Sequence, residues 1–373
     1  MASLKWGIKL LTQAIASGLL IAGLSISFFA SSALAAPAHK ASFYQQTNLV
    51  SDIAGKAKVT DANLQNPWGI VAGPKTPFWI ADNASGVSTL YNGDGQPQFP
   101  PKPLVVTIPP PKGASGPAAP TGIVFNDTGD FVVSSNGKSG SSLFIFDTED
   151  GTISGWSPNV DRANAILEVD NSAKGAVYKG LARGTDDGEN MLFAANFNAG
   201  VVDVFDDDFH WQQSFTDKDV PAGYAPFGIR NIGGNLFVTF ALQNAAKHDD
   251  VSGAGHGFVD IFDTDGHLLK RLISRGALNS PWGMVVAPSN FGKFSNALLV
   301  GNFGDGTINA FNVHNGKFLG TISDQNGKPL VNDDLWGLAF GNGNAAGETD
   351  QLFFTAGIND EKDGLFGAID AEN

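Results

Sequence analysis

The chain has 373 residues, only 16% of them charged, a net charge of −14, 46 glycines, 28 phenylalanines and no cysteine. That acidity argues against nucleic acid as a partner, because nucleic-acid binding requires a basic surface. The lack of cysteine excludes disulfides, thiol nucleophiles and thiolate metal sites.

Residues 1–35 read as a signal peptide. Lys5 and Lys9 precede an apolar stretch from Ile15 to Ala30, and Ala33-Leu34-Ala35 forms a small-x-small cleavage site. Cleavage after Ala35 leaves residues 36–373 as one domain and moves the net charge to −16, since the segment holds two lysines and no acid. The expected location is secreted or periplasmic, with no membrane span after cleavage. The C-terminal GLFGAIDAEN carries no apolar tail.

Phe43 to Ser51, FYQQTNLVS, reads as a strand with no partner nearby. Six repeats follow. Gly69, Gly122, Gly180, Gly228, Gly283 and Gly337 each open a short apolar run, at steps of 53, 58, 48, 55 and 54 residues. Each leads into a second run, a Gly-containing turn and a third run. The second runs begin at Pro77 (PFWIADNASGVSTLY), Asp130 (DFVVSSNGKSGSSLFIF), Asn190, Asn235, Ala297 and Gln351. Short β-rich runs, hairpin turn residues and a repeat of this length specify a β-propeller, one four-stranded sheet per repeat. No long stretch keeps a 3.6-residue apolar period, so little helix is expected. The last repeat shows only three strands. Phe43 to Ser51 is therefore expected to add the outer one, closing the ring and removing a sheet edge. The fold class is all-β, a six-bladed β-propeller.

The loop entering each innermost strand and the hairpin joining strands two and three share one face. The entry motifs are Asn66-Pro67-Trp68-Gly69, Ala119-Pro120-Thr121-Gly122, Ala225-Pro226-Phe227-Gly228, Ser280-Pro281-Trp282-Gly283 and Asp334-Leu335-Trp336-Gly337. Blade three has Tyr178-Lys179-Gly180 instead. Trp68, Trp282 and Trp336 fill space between blades or form a ring for stacking a ligand; Lys179 reaches solvent past the blade edge or adds a further ligand contact. Asp82, Asn136, Asn196 and Asn302, each four residues before a glycine, cap their hairpins or converge on a hard cation such as Ca²⁺.

The strongest departure from the repeat is the blade-four hairpin, Ala241 to Gly257, which gathers His248, Asp249, Asp250 and His256. They form a solvated polar loop ordered by glycines, or they ligate a metal or run acid–base chemistry. The segments PPPKGASGPAAP and Pro158 to Ala176 are further long loops on this face. No G-x-S-x-G, H-E-x-x-H, P-loop or dinucleotide fingerprint occurs.

The strings LQNPWGI, PTGIVFN, VYKGLA, YAPFGI, KHDDVSGAGHGFVDIFD, PWGMVVAP, LLVGNFGDG and LFFTAG resemble an uncharacterised bacterial family of secreted propellers. Some members carry a C-terminal exosortase (PEP-CTERM) sorting tag, absent here, and the family is NHL-like at fold level. The resemblance covers the mature chain and implies six blades but no established activity. A weaker similarity to six-bladed lactonases and gluconolactonases implies a central Ca²⁺ held by Asn and acidic side chains. Two functions are therefore expected. The first is a monomeric binding or scaffold protein whose funnel holds a glycan, peptide or protein. The alternative is a Ca²⁺-dependent, lactonase-like hydrolase with Asp82, Asn136, Asn196 and Asn302 at the cation and His248 or His256 as base.

Overall fold

The computed structural model describes Phe43 to Glu372, so the expected signal peptide and cleavage site fall outside the described residues. The polypeptide forms six blade sheets, antiparallel except for one short added strand, and a separate two-stranded hairpin. The first runs Pro67–Val71, Phe78–Asp82, Val87–Tyr91, Val105–Thr107 from inside to outside. The first strands of consecutive sheets pack on one another in a closed cycle, ending with Leu335–Phe340 back on Pro67–Val71. Six blades around one axis result.

The repeated glycine explains the tightness of that inner ring. A Cβ on Gly228 would lie 2.2 Å from the Trp282 carbonyl oxygen, and one on Gly283 would lie 2.3 Å from that of Trp336. Only a bare backbone fits between neighbouring blades there. The same glycines are held through their N–H groups. Gly122 donates to Asp147 Oδ1 (2.6 Å), Gly228 to Thr239 Oγ1 (2.7 Å) and Gly337 to Thr355 Oγ1 (2.8 Å).

Apolar clusters fill the wedges between adjacent sheets; the one joining the last two blades contains Leu299, Leu338, Phe354 and Tyr44. Burying each such side chain contributes about 1.5–3 kcal/mol. Ring closure follows the expectation. Phe43–Ser51 pairs antiparallel with Leu365–Glu372, Tyr44 opposite Ala371 and Ser51 opposite Leu365. The Tyr44 hydroxyl donates to the Phe291 carbonyl and accepts the Phe294 N–H, both at 3.1 Å, locking this strand onto blade five. A fifth strand, Val59–Thr60, runs parallel to Val50–Ser51 and covers that end of the outer edge. The sequence reading had not anticipated it.

Blade two corrects the sequence reading. Its second strand is Phe144–Thr148, paired directly with Pro120–Phe125, rather than the run from Asp130. Val132–Ser135 and Lys138–Ser141 form a separate two-stranded hairpin, with Asn136 at its tip. An inner strand is covered on both faces and needs apolar residues on both. Phe144, Ile145 and Phe146 are each 0% exposed, whereas Val132 is 46% exposed between buried Phe131 and Val133. The alternating segment can cover one face only. Pro158 to Ala176, expected as loop, contains the outer strand Ile166–Asp170.

Candidate functional site: an acidic basin over a tryptophan floor

Strand order places the entry motifs and the second-to-third hairpins at one end of the axis, as expected. Asn66, Ser280 and Asp334, which precede the three tryptophan-bearing inner strands, adopt φ of 46°, 47° and 53°. This left-handed turn suits Asn and Asp better than most residues. Beyond it, Trp68 stacks on Trp336 (centroids 3.4 Å, 18°) and Trp282 meets both edge-on at 6.0 and 5.7 Å. Phe197, Phe227 and the partly buried Phe303 complete the cluster. Trp336 Nε1 donates to Asn66 Oδ1 (3.1 Å) and Trp282 Nε1 to the Lys179 carbonyl (2.7 Å). The three indoles are at most 9% exposed. Packed face to face and edge to face, they close the axis as a floor.

Lys179 does not reach solvent past the blade edge: it is only 2% exposed and lies on that floor. Its ammonium is 5.1 Å from the Trp68 ring centroid and 5.9 Å from that of Phe197. It donates to Glu149 Oε1 and is 3.6 Å from Asp249 Oδ1. Glu149 Oε2 accepts from Asn83 (2.8 Å), and Asn66 donates to Glu361 Oε2 (2.8 Å). His248 Nδ1 lies 2.7 Å from Asp249 Oδ1. Side chains from five loops thus meet around one buried ammonium.

The electrostatics follow from burial with many like charges. Burial, offset by the Asn66 hydrogen bond and reinforced by the Glu149 charge, pushes the Glu361 carboxyl up to about 7. Burial, reinforced by Asp333, Asp360 and Asp250, raises Asp334 to about 6. Burial also raises Asp250 and Asp150. Asp249 moves the other way: burial works to raise it, but the His248 hydrogen bond and the Lys179 charge together hold it below the usual carboxylate range. The basin is rich in carboxylates around a single buried ammonium, so it favours cations.

Of the residues singled out in the expanded hairpin, His248 and Asp249 reach the basin beside Lys179. Asp250 is near enough to feel the Lys179 charge. His256 does not join them; its Nδ1 lies 2.9 Å from the Val251 carbonyl of its own loop. The four candidate cation ligands share no partner. Asp82 accepts from Thr89 (2.8 Å), and Asn196 accepts the Ala199 N–H (3.2 Å) and donates to Asp203 (2.9 Å). Asn302 accepts the Asn279 N–H (3.1 Å) and donates to the Ala277 carbonyl (2.8 Å). Asn136 is exposed on the outlying blade-two hairpin, and Thr148 occupies the position opposite Pro120 where it had been placed.

Glu149, Glu361, Asn66 and Asn83 went unnoticed in the sequence. With blade two in its true register, Thr148-Glu149 aligns with Asp82-Asn83, and that alignment would have exposed Glu149. Glu361 sits in the one-turn insert Ile358–Glu361 of the blade-six hairpin, whose run of acids was the available signal. The Glu149, His248 and Asp249 ligand atoms lie within 4.8 Å of one another, as do those of the more exposed trio Asp263, Asp265 and His267. The first trio offers an imidazole nitrogen and two carboxylates, a set better matched to zinc-like ions than to calcium, which takes oxygen ligands.

No family model matches the chain. The uncharacterised protein R648 of Acanthamoeba polyphaga mimivirus is 34% identical over 330 residues, covering 86% of this chain and 78% of that protein. Uncharacterised protein L690 of the same virus is 33% identical over 333 residues, covering 86% and 84%. Among solved structures, the soluble aldose sugar dehydrogenase of Escherichia coli superposes with a TM-score of 0.52 at 13% identity, over 88% of this chain and 100% of that one. A streptogramin B lyase gives 0.51 at 13% identity, over 88% and 97%. At these identities the superpositions speak for the propeller fold alone. Among the described residues, no helix is long and apolar enough to cross a membrane.

Proposed function

We propose that this chain, which belongs to the same family as the mimivirus proteins R648 and L690, is a binding protein acting outside the cytoplasm. In this reading the entry-face basin holds the cationic group of a ligand, such as a lysine or arginine side chain of a peptide or protein. One observation carries it: Glu149, Asp249, Asp250 and Glu361 gather around Lys179, the single buried ammonium among the described residues, with Asp334 beside Asp250 and Glu361, above a closed aromatic floor. The signal-peptide reading of residues 1–35 supports the location. Titration of the mature protein with tetralysine and with tetraglutamate tests the function. Tetralysine is expected to bind at low salt and weaken as salt rises, because exposed charges are screened. His248→Ala combined with Asp249→Ala is expected to remove that binding with little change in melting temperature, since the loop is exposed. Equal binding of tetraglutamate, or unaltered tetralysine binding by the double variant, rejects the proposal.

A second reading, a metal-dependent hydrolase, draws on the Glu149, His248 and Asp249 trio. There a bound metal would supply Lewis-acid activation of a water or carbonyl. Lys179 already neutralises Glu149 and faces Asp249, so a cation entering the trio must compete with an ammonium. Elemental analysis of the purified protein, with lactone and ester turnover measured with and without chelator, separates the two readings.

A further inference from the structure

On the other side of the tryptophan floor the axis is hollow. A cavity of ≈ 230 Å³ is lined by the six inner-strand glycines and by Ile70, Ile123, Leu181, Ile229, Met284 and Leu338. Its lining extends from those glycines to later residues of the inner strands, such as Val71, Phe125 and Asn231, away from the entry motifs. Arg183 and Arg230 also line it. Arg183 is neutralised, donating to Asp127 (2.5 Å) and to Asn190 (2.9 Å). Arg230 is not. Its Nη1 donates to the Leu338 carbonyl (2.9 Å) across the ring, and no carboxylate pairs with it among the described residues. Removal from water lowers its proton affinity.

A partly buried guanidinium with five donors, one of them on a carbonyl and none on a carboxylate, is costly without compensation. Its fork matches a carboxylate bidentately. One uncompensated positive charge calls for a monoanion, and the aliphatic lining calls for an apolar body behind it. The size agrees: an apolar cavity of about 150 Å³ accepts benzene, so this one has room for such a ring with a carboxylate attached. We propose that the axial cavity is a binding site for a small organic monocarboxylate, anchored by Arg230 and independent of the basin beyond the floor.

Calorimetric titration with sodium benzoate tests this, with benzyl alcohol as the uncharged counterpart and inorganic phosphate as an anion without an apolar body. Benzoate is expected to bind one per chain and to raise the melting temperature, and Arg230→Gln is expected to weaken it by about 10-fold or more, as loss of charge-assisted hydrogen bonds does. Should Arg230→Gln fail to fold, Arg230→Lys keeps the charge without the fork and is expected to bind more weakly than the native chain. The comparison of benzoate with benzyl alcohol needs no variant. Absence of benzoate binding at millimolar concentration overturns the assignment, as does equal binding by Arg230→Gln, by benzyl alcohol or by phosphate.

Discussion

Lys179 at the mouth of blade three and Glu149 at the end of the second strand of blade two form an ion pair whose side chains are only 3% and 13% exposed. The pair joins neighbouring blades at the axis and sits over the Trp68 ring. It fixes one side of the basin and sets that side's charge.

Removing one partner of a buried pair strands the other charge. Lys179→Ala is therefore expected to destabilise the protein by about 3 kcal/mol or more, while Lys179→Met combined with Glu149→Leu costs less than either single change. Urea unfolding midpoints of the three variants check this. An additive double variant contradicts it.

The raised Glu361 carboxyl implies a pH dependence. Its folded value, about 7, lies above its ordinary 4.5. Between those values the folded chain binds more protons than the unfolded chain, so this group's contribution is fullest below about 4.5 and declines as pH rises through 7. The stability difference between native protein and Glu361→Gln, measured by denaturant from pH 5 to pH 8, should therefore shift against the native protein as pH rises. A constant difference means that the carboxyl titrates alike in both states.

Tyr44 staples the closing strand. It is 2% exposed and its hydroxyl both donates and accepts. Tyr44→Phe is expected to cost about 1 kcal/mol and Tyr44→Ala about 3–5 kcal/mol. If thermal melts show Tyr44→Ala to be as mild as Tyr44→Phe, ring closure does not depend on this strand.

Asn302 and Asn136 were predicted as equivalents and occupy unlike environments. Asn302 is 0% exposed and holds two backbone groups, whereas Asn136 is exposed at φ 52°. Asn302→Ala should cost about 1–3 kcal/mol, the penalty of orphaning buried backbone groups. Asn136→Gly, which suits the left-handed turn, should stay within about 0.5 kcal/mol. Chemical denaturation of the pair distinguishes them, and equal costs would restore their equivalence.

The blade count, the six inner strands and the closing strand were legible because each depends on a local, repeated signal. Gly69 and its five counterparts recur at a near-constant interval, each followed by strand and hairpin chemistry. The missing fourth strand of the last repeat identified Phe43–Ser51 by elimination. The expanded hairpin bearing His248 and Asp249 stood out for the same reason, as a break in a periodic pattern.

The rest depended on contacts that no local pattern encodes. Both Asp130–Ser135 and Phe144–Thr148 have strand character, and only two-sided burial against neighbouring blades selects the second, which moves Asn136 away and brings Glu149 to the axis. Asn66, Glu149, Lys179, Asp249 and Glu361 are scattered over nearly 300 residues and meet because the ring closes. Arg230 reads in sequence as one more inner-strand residue. It becomes an unpaired charge only where the six inner strands enclose a cavity that supplies it no carboxylate. Repeats and turns are set by near-neighbour chemistry and could be read from the chain, whereas the composition of the axis depends on which distant residues the closed ring makes adjacent.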